Sequence, residues 1–184
     1  MSEPRSDLAD AFDGDIDLPE TVGARPLGYV DYDTEEVSFR RDHAARGETD
    51  LDVAPALATD VPLVKFTPGM GPEAFERCSG ADGVVVEGTG LGHVSTDCIP
   101  AIADLVEDGT PVVMTSQCLE GRVCDRVYDT GRDLLDAGVV EAEDTLPGTA
   151  KVKLMWALAN TESVRETLRT SLAGELTHRS TPWA

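Results

Sequence analysis

The sequence predicts an α/β fold in which a small parallel sheet is flanked by helices. Three apolar, valine-containing runs, at 61–66, 83–87 and 111–116, are each bounded by turn-forming residues. All three runs predict strands, and the three consecutive valines of the second are typical of a strand that is buried on both faces of a sheet. Each run is followed by a segment with the apolar spacing of a helix. Strands that alternate with helices predict a parallel sheet joined by right-handed crossovers.

The chain divides into four predicted parts: an acidic leader (1–24), an interdomain-type linker with short strands (25–60), the α/β domain (61–175) and a tail (176–184). The leader has little periodicity, which is typical of disorder. The linker contains two short alternating segments, 28–32 and 36–40, that predict a small hairpin or edge strands.

The first half of the α/β domain contains two strand and helix pairs. The strand at 61–66 is followed by a short helix at 72–78. The strand at 83–87 is followed by a helix at 97–107, and Pro100 is tolerated in its first turn.

The second half begins with the strand at 111–116 and continues with helices only. A helix is predicted at 129–138, with Gly138 as its C-terminal cap. The apolar residues between Ala150 and Leu158 share one face of a largely buried helix. Thr161 is expected to cap a last amphipathic helix, which carries three apolar residues (Val164, Leu168 and Leu172).

The second strand leads into a glycine-rich loop, Gly88-Thr89-Gly90-Leu91-Gly92-His93. A glycine-rich turn at the carboxyl end of a parallel strand lets the backbone approach a ligand or another chain closely. The loop falls short of the dinucleotide fingerprint G-x-G-x-x-G, because His93 and Val94 occupy the place of the third glycine. There is also no Walker lysine, so nucleotide binding is disfavoured.

Two side chains near this loop are candidates for a functional role. His93 directly follows the last glycine, whereas His43 and His178 lie in polar segments. The alternative is that His93 forms a hydrogen bond within the loop and holds its shape. Thr115 and Ser116 end the third strand, so their hydroxyls are expected in the same crevice, although strand-end hydroxyls are more often structural caps. Ser116 lacks the G-x-S-x-G context, which disfavours a serine hydrolase.

The composition excludes some classes of function. Thirty-five acidic residues face fifteen basic ones, a net charge of −20, which argues against direct nucleic-acid binding. Acid excess and lysine depletion along the whole chain indicate a protein from a high-salt cytoplasm, where repulsion is screened. No run approaches the roughly 20 apolar residues of a membrane span, and the acidic N-terminus is unlike a signal peptide. A soluble, cytoplasmic protein is therefore expected.

The four cysteines, at 78, 98, 118 and 124, include no C-x-x-C pair and no histidine at zinc-like spacing. We expect buried free thiols, no metal site and no cofactor.

Several segments, in order and spacing, resemble the C-terminal domain of the L-asparaginase/glutaminase family. They are 83–94, 112–118, 121–123, 127–139 and 154–158, with 26–28 and 37–41 similar to the segment that joins the two domains of that family. Within the family, the likeness is to the branch that works in archaeal glutamyl-tRNA(Gln) amidotransferases. The resemblance covers roughly residues 20 to 175.

The resemblance implies that the complete protein hydrolyses glutamine and passes ammonia to a partner subunit, which converts glutamate on tRNA(Gln) to glutamine. The family's nucleophile is a threonine, helped by a second threonine, an aspartate and a lysine, all in the N-terminal domain. None of those motifs is matched here, so no residue is assigned a catalytic role. We expect a C-terminal half: a fragment, a truncated gene product or one piece of a split enzyme.

In the family, this domain packs against a neighbouring subunit and lends its glycine-rich loop to that subunit's active site. The implied partners are a catalytic asparaginase-like half, a second copy in a homodimer and a tRNA-binding amidotransferase subunit. The expected substrate-proximal or interface positions are Thr89, Gly90, Gly92, His93 and Ser116. Asparaginases proper often carry asparagine at the position of His93, so the resemblance leaves the preferred amide open.

A second hypothesis is a catalytically inactive α/β interaction module that stands alone. An upstream reading frame with a Gly-Gly-Thr-Ile stretch and a Thr-Asp-Gly motif would favour the amidohydrolase hypothesis.

The charge generates a first prediction, that folding requires high salt. Repulsion at a net charge of −20 is poorly screened in dilute buffer, where the Debye length is about 10 Å at 0.1 M against about 3 Å at 1 M. Circular dichroism melts in rising KCl should show a clear increase in melting temperature. A melting temperature independent of KCl would contradict the high-salt interpretation.

Overall fold

The structure, a computed structural model, describes residues 27–179 apart from 41, 44, 46, 48, 49, 51, 125 and 178. The predicted acidic leader and most of the predicted tail lie outside the described residues. The chain forms two compact units, with the boundary between Val53 and Ala54.

The first unit contains an antiparallel hairpin of β1 (Gly28–Asp31) and β2 (Glu36–Phe39), as its alternating sequence predicts. Its turn is held by Asp31, whose Oδ1 accepts the N–H groups of Asp33 (2.9 Å) and Thr34 (3.0 Å). The N–H of Thr34, followed by that of Asp33, lowers the pKa of the Asp31 carboxyl.

The second unit contains a parallel sheet of four strands, in the order β3-β4-β5-β6. The strands are β3 (Leu63–Lys65), β4 (Val84–Gly88), β5 (Val112–Ser116) and β6 (Val140–Glu141). The first three correspond to the three predicted apolar runs, which confirms the α/β class and the parallel sheet. The sequence does not predict β6, because a strand of two residues has no periodicity of its own.

Five helices complete the described part of this unit. They are α1 (Glu73–Glu76), α2 (Ile99–Glu107, after a 3-10 turn at Thr96–Cys98), α3 (Asp129–Asp136), α4 (Pro147–Asn160) and α5 (Val164–Leu168). The prediction for Thr161 was wrong. Thr161 ends α4, with its Oγ1 donating to the Ala157 carbonyl at 2.8 Å, whereas Ser163 is the N-cap of α5 and Leu172 lies beyond that helix.

Alternate residues of the central strands enter two separate cores. Val84, Val86 and Met114 point to the face that α1, α2 and α3 cover, where Phe75, Ile102 and Leu134 are fully buried. The intervening residues of the same strands contact the opposite face, together with α4 and α5; they are Val85 and Val113, packed with Ala150, Leu154 and Leu168. Helices on both faces explain why these strands are apolar throughout.

A buried ion pair holds the segment after α5 against α4. The ammonium of Lys153 lies 2.5 Å from Oε1 of Glu175, and both side chains are more than nine-tenths buried. Lys153 also donates to the carbonyls of Leu168 and Thr170, while Glu175 accepts the N–H groups of Leu172 and Ala173. The remaining donors and acceptors of the pair are therefore satisfied.

We predict that Glu175→Gln lowers the free energy of unfolding by about 3–5 kcal/mol, because it leaves the Lys153 ammonium buried without a counter-charge. The matched control is Arg132→Gln, which breaks an exposed pair with Asp129 at 3.9 Å and should cost less than about 1 kcal/mol. Urea unfolding in high KCl measures both changes. Equal losses would contradict a special role for the buried pair.

The same pair should make stability depend on acid pH. Burial raises the pKa of Glu175, but the hydrogen bonds from Lys153 and from backbone N–H groups outweigh it and the pKa is lowered overall. A carboxyl with a lowered pKa stabilises the fold above its ordinary pKa, and this stabilisation is lost as pH falls through the folded value. Glu175→Gln should therefore flatten the acid limb of the stability curve.

Candidate functional site

The candidate site is built on the glycine loop, Gly88–His93, which leaves the carboxyl end of β4. The N–H of Thr89 donates to the carbonyl of His93 and the N–H of His93 to that of Thr89, each at 2.9 Å. Between them the chain turns through Gly90 (φ +52°) and Gly92 (φ +96°), in the left-handed region that favours glycine. The shape of the loop is thus set by its backbone.

Ser116, at the end of β5, holds the loop from one side. Its hydroxyl donates to the Gly90 carbonyl at 2.5 Å and accepts the N–H of Cys118 at 3.0 Å, and the side chain is buried. The hydroxyl of Ser116 thus already donates one hydrogen bond and accepts another. Ser116 therefore positions the loop, and its hydroxyl is not activated as a nucleophile.

Gln117 ties together the carboxyl ends of three strands. Its side-chain amide donates to the carbonyls of Phe66 (2.6 Å), just after β3, and Glu87 (3.0 Å), in β4. Its own N–H donates to the Gly88 carbonyl at 2.9 Å and so extends the ladder of β4 and β5. The loop therefore begins from a fixed edge of the sheet.

The segment after β5 holds the loop from the other side. The N–H of Cys124 donates to the Leu91 carbonyl at 2.9 Å. Val123 packs so closely that a Cβ added to Gly92 would lie 2.8 Å from its Cγ1, and a Cβ on Gly88 would lie 2.7 Å from the carbonyl carbon of Gly92. These contacts require glycine at both positions for reasons of space.

His93 closes the loop with a partly exposed side chain. Its Nε2 is buried without a hydrogen-bond partner among the described residues, and its ring lies edge-on to Tyr128, with 5.3 Å between centroids. Burial lowers the pKa of the imidazole, which is therefore neutral at neutral pH. A neutral ring with an unused nitrogen can donate or accept one hydrogen bond. The backbone bonds of Thr89 and His93, rather than this imidazole, hold the loop.

The structure brings together the five residues expected from the sequence: Thr89, Gly90, Gly92, His93 and Ser116. The hydroxyl of Thr89 is turned inward, toward the His93 carbonyl at 3.2 Å. The prediction for Thr115 was wrong, because its side chain is fully buried and donates to the Val86 carbonyl within the sheet at 2.8 Å. Adjacent residues of a strand point to opposite faces, so Thr115 and Ser116 do not share a crevice.

Sequence reasoning missed Gln117, Val123 and Tyr128. None has a motif of its own, and only the position of Gln117 at the end of a predicted strand was a usable signal. The expectation of buried thiols was correct for Cys78 and Cys98 but wrong for Cys118, which is exposed, and Cys124, which is partly exposed. Both lie in the irregular segment that follows β5.

Within the described part of the chain, no group of three or more His, Cys, Asp or Glu side chains is placed to hold a metal ion. The helices described here include none that is long and apolar enough to cross a membrane. The site thus consists of a shaped backbone loop and one neutral imidazole.

Comparison with known proteins relates this site to one family. Residues 60–170 match the model of the glutaminase/asparaginase C-terminal domain. Among curated proteins, the D subunit of glutamyl-tRNA(Gln) amidotransferase from Haloquadratum walsbyi is 64% identical over 170 residues, covering 91% of this chain and 38% of that protein. The protein of the same name from Halobacterium salinarum is 62% identical over 176 residues, covering 91% and 41%. The chain therefore spans about two fifths of the length of these relatives.

Solved structures agree with the fold. The thermostable L-asparaginase from Thermococcus kodakarensis superimposes with a TM-score of 0.76 at 31% identity, over 87% of this chain and 50% of that one. L-asparaginase I from Vibrio cholerae superimposes with a TM-score of 0.71 at 23% identity, over 85% and 49%, which shows the fold alone.

The packing around the loop predicts unequal effects for two alanine substitutions. Gly90→Ala should cost only the strain of a left-handed residue, about 1–2 kcal/mol, because nothing lies within 4 Å of the added methyl. Gly92→Ala should cost about 1–3 kcal/mol more, because its methyl collides with Val123 and Met114. Urea unfolding in high KCl tests the difference. Equal costs would show that Val123 moves aside freely and does not hold the loop.

Proposed function

Because this chain belongs to the glutaminase/asparaginase family through its C-terminal domain, we propose that it forms the C-terminal part of an asparaginase-like glutaminase subunit of a glutamyl-tRNA(Gln) amidotransferase. In this role it works with a catalytic domain that supplies the nucleophile. The reaction hydrolyses the side-chain amide of glutamine to glutamate and ammonia. The ammonia then serves the conversion of glutamate on tRNA(Gln) to glutamine in a partner subunit.

Beside the family match, the structural observation that supports this proposal is the Nε2 of His93, which has no partner among the described residues and lies in a preformed loop. A buried nitrogen without a partner is costly, and a ligand or another chain that provides a hydrogen bond removes the cost. The loop lies at the carboxyl end of a central parallel strand, where open α/β sheets bind their ligands. His93 and Thr89 are therefore proposed to lie next to the amide substrate or at the surface that meets the catalytic domain.

The proposed contribution of this domain is positioning. The loop backbone is held within this domain by Ser116, Gln117 and Cys124. Because the loop is already ordered, binding to a partner costs little conformational entropy. The neutral imidazole offers a hydrogen bond without placing a charge beside the nucleophile. Gly90 and Gly92 let the backbone approach a neighbouring surface closely.

The proposed assembly contains a second copy of the subunit, whose active site the loop completes, and a tRNA-binding amidotransferase subunit. Direct contact of this domain with nucleic acid is not part of the proposal, because such binding needs many basic residues along a phosphate backbone and this chain has only 15 basic residues against 35 acidic ones. The proposed compartment is a salt-rich cytoplasm, in keeping with the 62–64% identity to proteins from Haloquadratum and Halobacterium.

A chimera tests the proposal. The matching C-terminal region of the Haloquadratum walsbyi relative is replaced by the aligned residues of this chain, and ammonia release from glutamine and from asparagine is measured in high KCl. We expect a folded chimera with glutaminase activity close to that of the relative, and no activity from the 184-residue chain alone. A folded but inactive chimera would favour the alternative, a catalytically inactive interaction module.

In the active chimera, we predict that His93→Ala lowers glutamine turnover by about tenfold, the effect of losing one well-placed hydrogen bond. Stability should change by no more than about 0.5 kcal/mol, because no described partner of Nε2 is left unsatisfied. His93→Asn is the matched control, since it retains a hydrogen-bonding group and should keep more of the activity. A stability loss of about 1–3 kcal/mol with unchanged turnover would instead identify His93 as an internal support of the loop.

The pH dependence provides a separate check on His93. Its pKa is lowered in the folded state, so the unfolded chain binds the proton more readily. As pH falls below about 6.5, the ordinary pKa of histidine, the wild-type protein should lose stability that His93→Ala does not lose.

A further inference from the structure

The second unit also contains an open cavity of about 450 Å³, which we call the arginine cavity. Its charged lining consists of Arg122, Arg126, Arg179, Glu141 and Glu143. Glu141 is the last residue of β6, and the arginine at 122 follows β5, so the cavity lies near the carboxyl ends of two strands. Three arginines against two glutamates make this cavity locally positive in a chain of net charge −20.

Hydrogen bonds fix one wall of the arginine cavity. The guanidinium of Arg122 lies 2.6 Å from the carboxylate of Glu143 and donates to the Thr177 carbonyl at 2.8 Å. The N–H of Val123 donates to the Glu143 carbonyl at 2.7 Å. Glu143 has a left-handed backbone (φ +56°), a conformation that non-glycine residues seldom adopt and that tends to occur at functional sites.

The segment that leads to Arg179 is anchored through Thr177. Its N–H donates to Oδ1 of Asp144 at 2.7 Å, and its hydroxyl donates to Oδ2 of the same carboxylate. Asp144 is almost completely buried. Arg179 follows two residues after this anchor, so its start point is fixed relative to Arg122.

Two of the three guanidiniums have no counter-charge among the described residues. Arg122 is paired with Glu143, but no carboxylate oxygen of a described residue lies within 4.0 Å of Arg126 or Arg179. Acidic residues outnumber basic ones by 35 to 15 in this chain, so a carboxylate beside each exposed arginine would be the ordinary arrangement. The shared cavity instead holds two guanidiniums whose donors have no carboxylate partner in the part of the chain that the structure describes.

We propose that the arginine cavity binds an oxyanion, a carboxylate or a phosphate group, through the guanidiniums of Arg126 and Arg179. A guanidinium presents parallel N–H donors that match two oxygens of either group, a geometry that a chloride ion does not use. The hydrogen bonds that hold Arg122 and Thr177 reduce the ordering that binding requires.

The arginine cavity and the glycine loop are connected by two residues that contact both. Val123 and Cys124 belong to the cavity wall; Val123 also packs against Gly92, and the N–H of Cys124 donates to the Leu91 carbonyl. An anion that orders this segment therefore also supports the loop. The binding itself is independent of the proposed function, because it requires neither a catalytic domain nor an active enzyme.

The test is an NMR titration of the full 184-residue chain, labelled with nitrogen-15, in high KCl. Potassium glutamate or potassium phosphate replaces part of the KCl at constant potassium concentration. We expect saturable shifts of the backbone amides of Val123, Glu143 and Thr177. In the double variant Arg126→Gln, Arg179→Gln, the apparent Kd should rise by about tenfold or more.

The charge-matched control is the double variant Arg77→Gln, Arg169→Gln, which removes two exposed arginines outside the cavity and should bind as the wild type does. Saturation by glutamate alone identifies a carboxylate site, by phosphate alone a phosphate site, and by both a general oxyanion site. The proposal is overturned if neither anion gives saturable shifts or if the cavity variant binds as tightly as the control. If the cavity variant does not fold, Arg179→Gln alone must weaken binding.

Discussion

The burial of β4 between two apolar layers is the constraint on which the rest of the second unit depends. Val84 and Val86 are fully buried against one core and Val85 against the other, so this strand can occupy only the centre of a sheet covered on both faces. A slip of one residue would exchange the two sets of side chains. The position of the carboxyl end of β4, and with it the start of the glycine loop, is therefore tightly specified.

Beyond the end of β4, the conformation of the glycine loop is determined by close backbone contacts and hydrogen bonds, not by apolar burial. A Cβ on Gly88 would lie too close to the backbone of Gly92, and a Cβ on Gly92 would collide with Val123. The Ser116 hydroxyl and the Cys124 N–H hold the carbonyls of Gly90 and Leu91 between them. Each of these groups belongs to a segment that the sheet has already placed. The loop is consequently ordered by its surroundings, while the imidazole of His93 keeps one nitrogen that no described residue contacts by a hydrogen bond. In the proposed function, this nitrogen bonds to the substrate or to the surface of the catalytic domain.

The charged residues are used in two different ways. Most acidic residues that the structure describes are exposed, where salt screens their mutual repulsion. A few charged groups are buried and bonded: Lys153 with Glu175 holds the segment after α5, and Asp144 holds Thr177. Glu175 and Thr177 lie shortly before Arg179 in the chain, so these two contacts also help to position Arg179 in the arginine cavity. Contacts that stabilise the fold thereby also present the guanidiniums that a bound anion would contact.

Sequence alone determined the α/β class, three of the four strands of the sheet and the grouping of Gly90, Gly92 and His93, because buried strands and glycine turns are encoded by short, local patterns. The local sequence pattern also predicted correctly that Ser116 ends a strand, which is β5. The predictions for Thr115 and Thr161 were wrong, because their hydroxyls donate to backbone carbonyls that the local sequence does not identify. Only the tertiary structure revealed the role of Gln117, the contact of Tyr128 with His93 and the shared cavity of Arg126 and Arg179, since each depends on segments far apart along the chain. Such contacts arise from the packing of the whole unit, which no local pattern records.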